Sequence, residues 1–165
     1  MSTQLPLSMP PKPPAIPPDI GYFDGACEPT NPGGTGSYGF IIHDLRKMIV
    51  AKDKGLLKAR PSMTNNVAEY TAAGMAVKAY KETGRRGPLL LRGDSQLVIE
   101  QMCGRWRVAN PDAAYVRYHN RLKELLTECT FEVVWEWVPR EQNAIADRLS
   151  VEALEAVGIR RRERR

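Results

Sequence analysis

Residues 20–42 read IGYFDGACEPTNPGGTGSYGFII. Two short β-type runs flank a loop of Gly, Pro and Asn, the pattern of an antiparallel hairpin. Asp24 stands out, because strand interiors are usually depleted in Asp and this one lies between Phe23 and Gly25. Taken alone, it is equally a solvent-facing or turn-entry acid. Three further acids downstream change its meaning.

Outward from the hairpin, further elements follow. Residues 47–57 (KMIVAKDKGLL) predict a third strand and an antiparallel meander. Residues 65–83 predict a helix, with Thr64 or Asn65 as N-cap and Gly84 at its C-terminal stop. Residues 88–92 (PLLLR) predict a strand buried on both faces, ending at Gly93-Asp94-Ser95, where Ser95 caps a short helix over 96–102. Asn110-Pro111 predicts another helix start, followed by Tyr115, Val116, His119, Leu122 and Leu126 at helical spacing. Residues 131–138 (FEVVWEWV) predict a strand with Phe131, Val133, Trp135 and Trp137 on one face. A last helix is expected from about Glu141 to Val157, stopped by Gly158. The order βββαβααβα gives an α/β fold in which helical crossovers add two parallel strands to an antiparallel meander.

Length and composition set bounds. The 165 residues suit one domain, and no apolar run approaches the roughly 20 residues that span a bilayer. No signal-peptide layout is seen at the N-terminus. Cys27, Cys103 and Cys129 are odd in number and scattered, which argues against a disulfide framework or a zinc site and for a reducing, cytoplasmic setting. The seven prolines in residues 1–19 predict an extended, disordered arm. The folded body is expected over 20–159, followed by a basic tail at 160–165, RRRERR. That tail carries a net +4 of the total +5, so the positive charge points to anionic partners without locating a binding face.

The topology gives the acids a common destination. The first and fourth strands lie side by side where the direction of winding reverses, the usual ligand crevice of an open α/β sheet. Asp24 lies on the first strand, Glu69 one turn into the crossing helix, Asp94 at the end of the fourth strand and Asp147 in the middle of the last helix. Each has a structural alternative: Glu69 on a helix surface, Asp94 in a turn, Asp147 paired with Arg148. Converged, the four would repel one another and raise each other's pKa. A pair of hard divalent cations with oxygen ligands relieves that repulsion and suits phosphodiester chemistry. His43 and His119 stand alone and read as structural or surface residues.

The segments YFDGACEPTNPGG, TNNVAEY, GDSQLVIEQ and VPREQNAIADRLS resemble, in order, the four signature segments of the type 1 ribonuclease H family, most of all its archaeal-type, compact branch. The resemblance spans about residues 20–155. It implies a five-stranded mixed sheet of order 3-2-1-4-5 with helices on both faces, and hydrolysis of the RNA strand of an RNA–DNA hybrid to 5′-phosphate and 3′-hydroxyl ends. It makes Asp24, Glu69, Asp94 and Asp147 the ligands of two Mg²⁺ ions, with Mn²⁺ as a substitute. It also places the backbone at Gly25, Ala26 and Cys27, and the side chains of Asn65, Asn66 and Gln96, along the minor groove. Asn31 and Thr64 cradle a DNA-strand phosphate in the same picture. Amides that donate and accept suit 2′-hydroxyls and exposed base edges, and double-stranded RNA, which offers 2′-hydroxyls on both strands, stays open as a side substrate.

Two departures from the family stand out. The loop before Asp147 reads VPREQN and lacks the His of many bacterial members. Arg140 either takes over part of its work on the leaving phosphate or is a surface residue near the last helix. CGRWRVANP replaces a basic helical protrusion, leaving Arg105, Trp106 and Arg107 or the RRRERR tail for extra substrate contact. Nothing demands a protein partner, a membrane or more than a monomer. The competing expectations are a catalytically silent hybrid-binding module and another nuclease of the same superfold.

Overall fold

The computed structural model describes residues 16–163. The proline-rich arm expected over 1–19 lies outside the described residues as far as position 15, as do Arg164 and Arg165 of the tail. Strand β1 is Asp19–Glu28, β2 Thr35–His43 and β3 Ile49–Leu57, joined as an antiparallel meander. Helix α1, Asn65–Glu82, crosses to β4, Leu89–Gly93, which pairs in parallel with β1. Helices α2, Gln96–Met102, and α3, Val116–Thr127, lead to β5, Val133–Trp137, parallel to β4. Helix α4, Ala144–Glu155, follows a single 3₁₀ turn at Arg140–Gln142. The sheet order is β3-β2-β1-β4-β5.

Local chemistry starts and stops the helices as the sequence indicates. Thr64 and Ser95 each accept a hydrogen bond from the backbone N–H three residues on, satisfying a donor that the first helical turn leaves free. At the end of α4, Gly158 has φ +78°. The Gly158 N–H donates to Glu155 O and the Ile159 N–H to Leu154 O. This paired Schellman arrangement turns the chain sharply out of the helix.

Three expectations are corrected. The helix expected from Asn110-Pro111 begins only at Val116. Asn110 Oδ1 instead accepts the Asp112 N–H, and its carbonyl accepts the Ala113 N–H, so a local Asn turn outcompetes the helix. Strand β4 is not buried on both faces: Leu89 and Leu91 are fully shielded, whereas Leu90 and Arg92 are half-buried. The reason is the placement of α4, which packs across β1, β2 and β3. On the face it leaves open, Arg92 forms a lateral row with Glu136 (2.8 Å) and the Tyr22 hydroxyl (3.0 Å). Finally, Asp147 sits in the first turn of α4, not its middle, where the helix dipole favours a carboxylate.

The main core lies between the sheet and α1–α3. Phe23, Phe40, Ile42, Leu89 and Leu91 of the sheet meet Tyr70, Ala73, Ala76, Val77, Tyr80, Val98, Ile99 and Leu122. Buried Gln101 is accommodated by polar partners, accepting from the Tyr70 hydroxyl and donating to Tyr115, as a buried amide requires.

Candidate active site

Two glycines bring helices onto opposite sides of β1. At Gly25, a Cβ would fall 2.3 Å from the Ala68 carbonyl carbon and 2.5 Å from the Glu69 nitrogen. Only a residue without a side chain lets α1 approach this closely, which delivers Glu69 beside Asp24. At Gly39, the Cα partner of Asp24, a Cβ would meet Leu149 Cβ at 2.6 Å and Ser150 N at 2.7 Å. This second close contact seats α4 beside Asp24 and brings in Ser150 and Asp147.

Asp24, Glu69 and Asp94 converge. Each offers a carboxylate oxygen, and the three oxygens lie within 4.8 Å of one another. Asp24 is buried and accepts a 2.6 Å hydrogen bond from Ser150 Oγ. Burial pushes its pKa up to about 7; Ser150 opposes the rise, while Asp94 and Asp147 add to it. Burial also raises Glu69 well above the usual carboxylate range, reinforced by the charges of Asp24 and Asp94. Asp94 is raised by burial, against the pull of the Arg140 guanidinium. Asn143, buried at the start of α4, donates to Phe23 O at 2.9 Å and so ties that helix to β1 beside Asp24.

Asp147 is the fourth acid, but its carboxylate is engaged by arginines. Oδ1 accepts from Arg140 Nη2 at 3.2 Å and from Arg161 Nη2 at 2.5 Å, and Oδ2 accepts from Arg161 Nη1 at 3.2 Å. The pairing with Arg148 considered above is not formed; Arg148 pairs with Glu152. Arg140 is half-buried and lines the cavity, and its Nη1 is shielded and has no partner among the described residues.

A cavity of about 560 Å³ is lined by the four acids with Gly25, Ala26, Asn65 and Arg140. The other residues marked in the sequence lie around it. Thr64 caps α1, Asn31 Oδ1 accepts the Asn65 N–H, and Asn65 Oδ1 accepts the Cys27 N–H. These bonds use the Cys27 donor and the Oδ1 of Asn65 to hold the loop, and Asn65, Asn66 and Gln96 are exposed residues. Arg105 is held by Glu100 at 2.9 Å, with Trp106 exposed beside it. His43 stacks on Tyr22 and His119 packs edge-on to Tyr70, neither in the cavity.

Sequence reasoning missed Glu28, Trp137, Ser150, Asn143, Arg161 and Arg162. Ser150 and Asn143 were within reach, since a helix places positions three and four away on the face of Asp147. Arg161 and Arg162 were read as part of an undifferentiated basic tail, because only the turn at Gly158 sends them back into the cavity.

A buried carboxylate cluster needs a cation, and these residues fit one. Glu69 Oε2 is fully shielded without a hydrogen-bond partner among the described residues. A hard divalent ion is the partner that an all-oxygen donor set of this kind suits.

Residues 22–153 match the family described as Reverse transcriptase-like. The chain is 34% identical to RNase H1 from the halophilic archaeon Halobacterium salinarum, whose crystal structure superposes with a TM-score of 0.72 over 85% of this chain and 99% of that one. LC11-RNase H1, solved in complex with an RNA/DNA hybrid, is 27% identical, with a TM-score of 0.75 over 84% and 98% of the two chains. Against the bifunctional protein Rv2228c of Mycobacterium tuberculosis, identity is 35% over 127 residues, 76% of this chain but only 33% of that protein's length. With the 3-2-1-4-5 sheet and the carboxylates of Asp24, Glu69 and Asp94 gathered at its switch point, these matches lead to one assignment: the chain belongs to the type 1 ribonuclease H family.

Proposed function

We propose that this chain is a divalent-metal-dependent endonuclease that hydrolyses the RNA strand of RNA–DNA hybrids, giving 5′-phosphate and 3′-hydroxyl ends. The observation that carries this reading is the meeting of carboxylate oxygens of Asp24, Glu69 and Asp94 within 4.8 Å of one another, with Glu69 Oε2 left without a hydrogen-bond partner among the described residues. Three carboxylates brought together under burial are costly to a pure binding module, and their value is realised when cations occupy them. Two Mg²⁺ ions, or Mn²⁺ in their place, would be held by these carboxylates and would supply charge neutralisation and Lewis-acid activation for phosphodiester hydrolysis.

The chain's own residues do the rest. Ser150 orients the Asp24 carboxylate. Asp94 and Glu69 would hold the ions with Asp24, and Asp147 would join them when not paired with its arginines. Arg140 lines the cavity and holds Asp147 through Nη2, a guanidinium suited to charge developing on a leaving phosphate. Asn65 presents its amide donor beside the cavity, and Asn66 and Gln96 line the approach, chemistry suited to ribose 2′-hydroxyls in a shallow groove. Asn31 and Thr64 shape the loop that meets the DNA strand. Double-stranded RNA offers the same hydroxyls and is a side substrate on this reading. No described helix is long and apolar enough to cross a membrane, and the unpaired thiols suit a reducing cytoplasm. A monomer is sufficient, because all the residues invoked come from one chain.

The test is cleavage of an end-labelled RNA–DNA hybrid with and without Mg²⁺ or Mn²⁺, beside Asp94→Asn, single-stranded RNA and double-stranded RNA. Metal-dependent cutting of the hybrid RNA strand, lost in Asp94→Asn, is expected. Retained hybrid binding with no cutting in either metal would overturn the reading in favour of a silent binding module.

A further inference from the structure

The last described residues do not trail away from the fold. After the turn at Gly158, Arg161 and Arg162 line the same cavity as the four acids. Arg162 Nε donates to Glu28 Oε2 at 2.8 Å, and its Nη2 donates to Cys27 O at 3.2 Å. Arg161 forms a two-pronged pair with both oxygens of Asp147. The segment therefore straps the cavity from α4 to the end of β1.

This strap separates Asp147 from the other acids. Asp24, Glu69 and Asp94 form a cation-sized cluster to which Asp147 does not contribute, and the Asp147 carboxylate faces guanidinium groups on both oxygens. A cation approaching it meets like charge at hydrogen-bonding distance, an unfavourable interaction in a partly desolvated site. An arginine and a metal ion cannot hold this carboxylate together in the same way.

We propose that Arg161 is an exchangeable counter-cation of Asp147. It holds the carboxylate when divalent ion is absent, it is displaced when the ion binds there, and the released guanidinium then pairs with a phosphate of the hybrid. The Arg162–Glu28 pair anchors the strap, so the freed Arg161 stays within reach of the cavity. This proposal rests on the nuclease reading for the polyanion and for Asp147 as a metal ligand, and on the pairing geometry for the competition between Arg161 and metal.

The experiment is Mn²⁺ binding to the full chain by titration calorimetry without nucleic acid, comparing Arg161→Gln with Arg160→Gln. The second variant removes the same charge from an exposed neighbour. Arg161→Gln is expected to bind Mn²⁺ about three- to ten-fold more tightly, as loss of a two-pronged competitor requires, with Arg160→Gln within two-fold of the unaltered chain. Adding Asp147→Asn should abolish the gain. Equal gains in both arginine variants, or none in Arg161→Gln, would overturn the exchange. For the hand-over to phosphate, the dependence of log KM on log salt in saturating Mg²⁺ should fall by about 0.7–0.9 in Arg161→Gln, the loss of one phosphate contact; an unchanged slope would overturn that half. Hybrid cleavage with no difference in Mn²⁺ affinity overturns the exchange and leaves the nuclease reading intact. Tighter Mn²⁺ binding in Arg161→Gln without any cleavage does the reverse.

Discussion

Ser150 Oγ lies 2.6 Å from Asp24 Oδ2, joining α4 to β1 across 126 residues of chain. The same hydroxyl lies 2.9 Å from the carbonyl oxygen of Asp147. One hydroxyl carries one proton, so the ionised carboxylate takes it, and the bond favours the charged form of a buried acid. The hydroxyl thereby ties Asp24 to α4, the helix that carries Asp147. Ser150→Ala should cost about 1–3 kcal/mol, the usual effect of removing a buried hydrogen bond to a charged group. It should also lower kcat about ten-fold and move the acid limb of the pH–rate profile upward. Urea unfolding with pH-dependent kinetics checks this, and an unmoved acid limb would count against Ser150 as the group tuning Asp24.

The buried acids make the metal-free protein sensitive to pH in an unusual direction. Burial raises Asp24 from the ordinary 3.8 to about 7, so between those values the folded state holds more protons than the unfolded state. Unfolding free energy therefore falls as pH rises through this window. Metal-free protein should lose about 1–3 kcal/mol from this group between pH 4.5 and 7.5. Adding Mg²⁺ at pH 7.5 should restore much of the loss. Asp24→Asn should flatten that pH dependence and raise the metal-free melting temperature at pH 7.5 by a few degrees. Thermal melts with and without EDTA measure both effects, and a melting temperature for Asp24→Asn below that of the unaltered chain at pH 7.5 would contradict the assignment.

Gly25 has no room for a side chain. Its Cβ would sit 2.3–2.5 Å from three backbone atoms of Ala68 and Glu69, and neither β1 nor α1 has a flexible side-chain end to yield. Gly25→Ala should destabilise by about 2–4 kcal/mol, at or above the usual range for overpacking. Activity should fall further than stability accounts for, since any relief moves Glu69 from Asp24. Denaturant unfolding and hybrid cleavage on the remaining folded fraction separate the two effects.

Arg140 lines the cavity with one guanidinium nitrogen paired to Asp147 and another shielded and without a partner among the described residues. Arg140→Gln should lower kcat about 10²-fold, the scale for loss of a group that stabilises charge in the transition state, with KM changed less than three-fold. Arg140→Lys should recover only part of the rate, because a point charge cannot reach both Asp147 and phosphate as a planar fork does. Steady-state kinetics decide the matter; a rise in KM with kcat intact would recast Arg140 as a binding group.

Much of the fold was legible because its determinants are local. The apolar runs of β1 and β2 around their Gly-Pro-Asn loop, the caps Thr64 and Ser95, and the left-handed stop at Gly158 act within a few residues of themselves, so run composition and turn chemistry reveal them. Where local rules compete, the outcome was less legible. Asn110-Pro111 carries both helix-start and turn signals, and the side-chain hydrogen bond to Asp112 decides for the turn.

The sequence by itself determined the strand order and the presence of four acids on four elements at the switch between β1 and β4. Only the tertiary structure decided that Asp24, Glu69 and Asp94 meet while Asp147 is held by Arg140 and Arg161, and that one face of β4 stays half open. These contacts depend on how closely α1 and α4 approach β1, which Gly25 and Gly39 permit, and on where the chain turns after Gly158. A carboxylate's partners are chosen by distances of a few ångströms between residues far apart in the chain, and no local pattern carries that information.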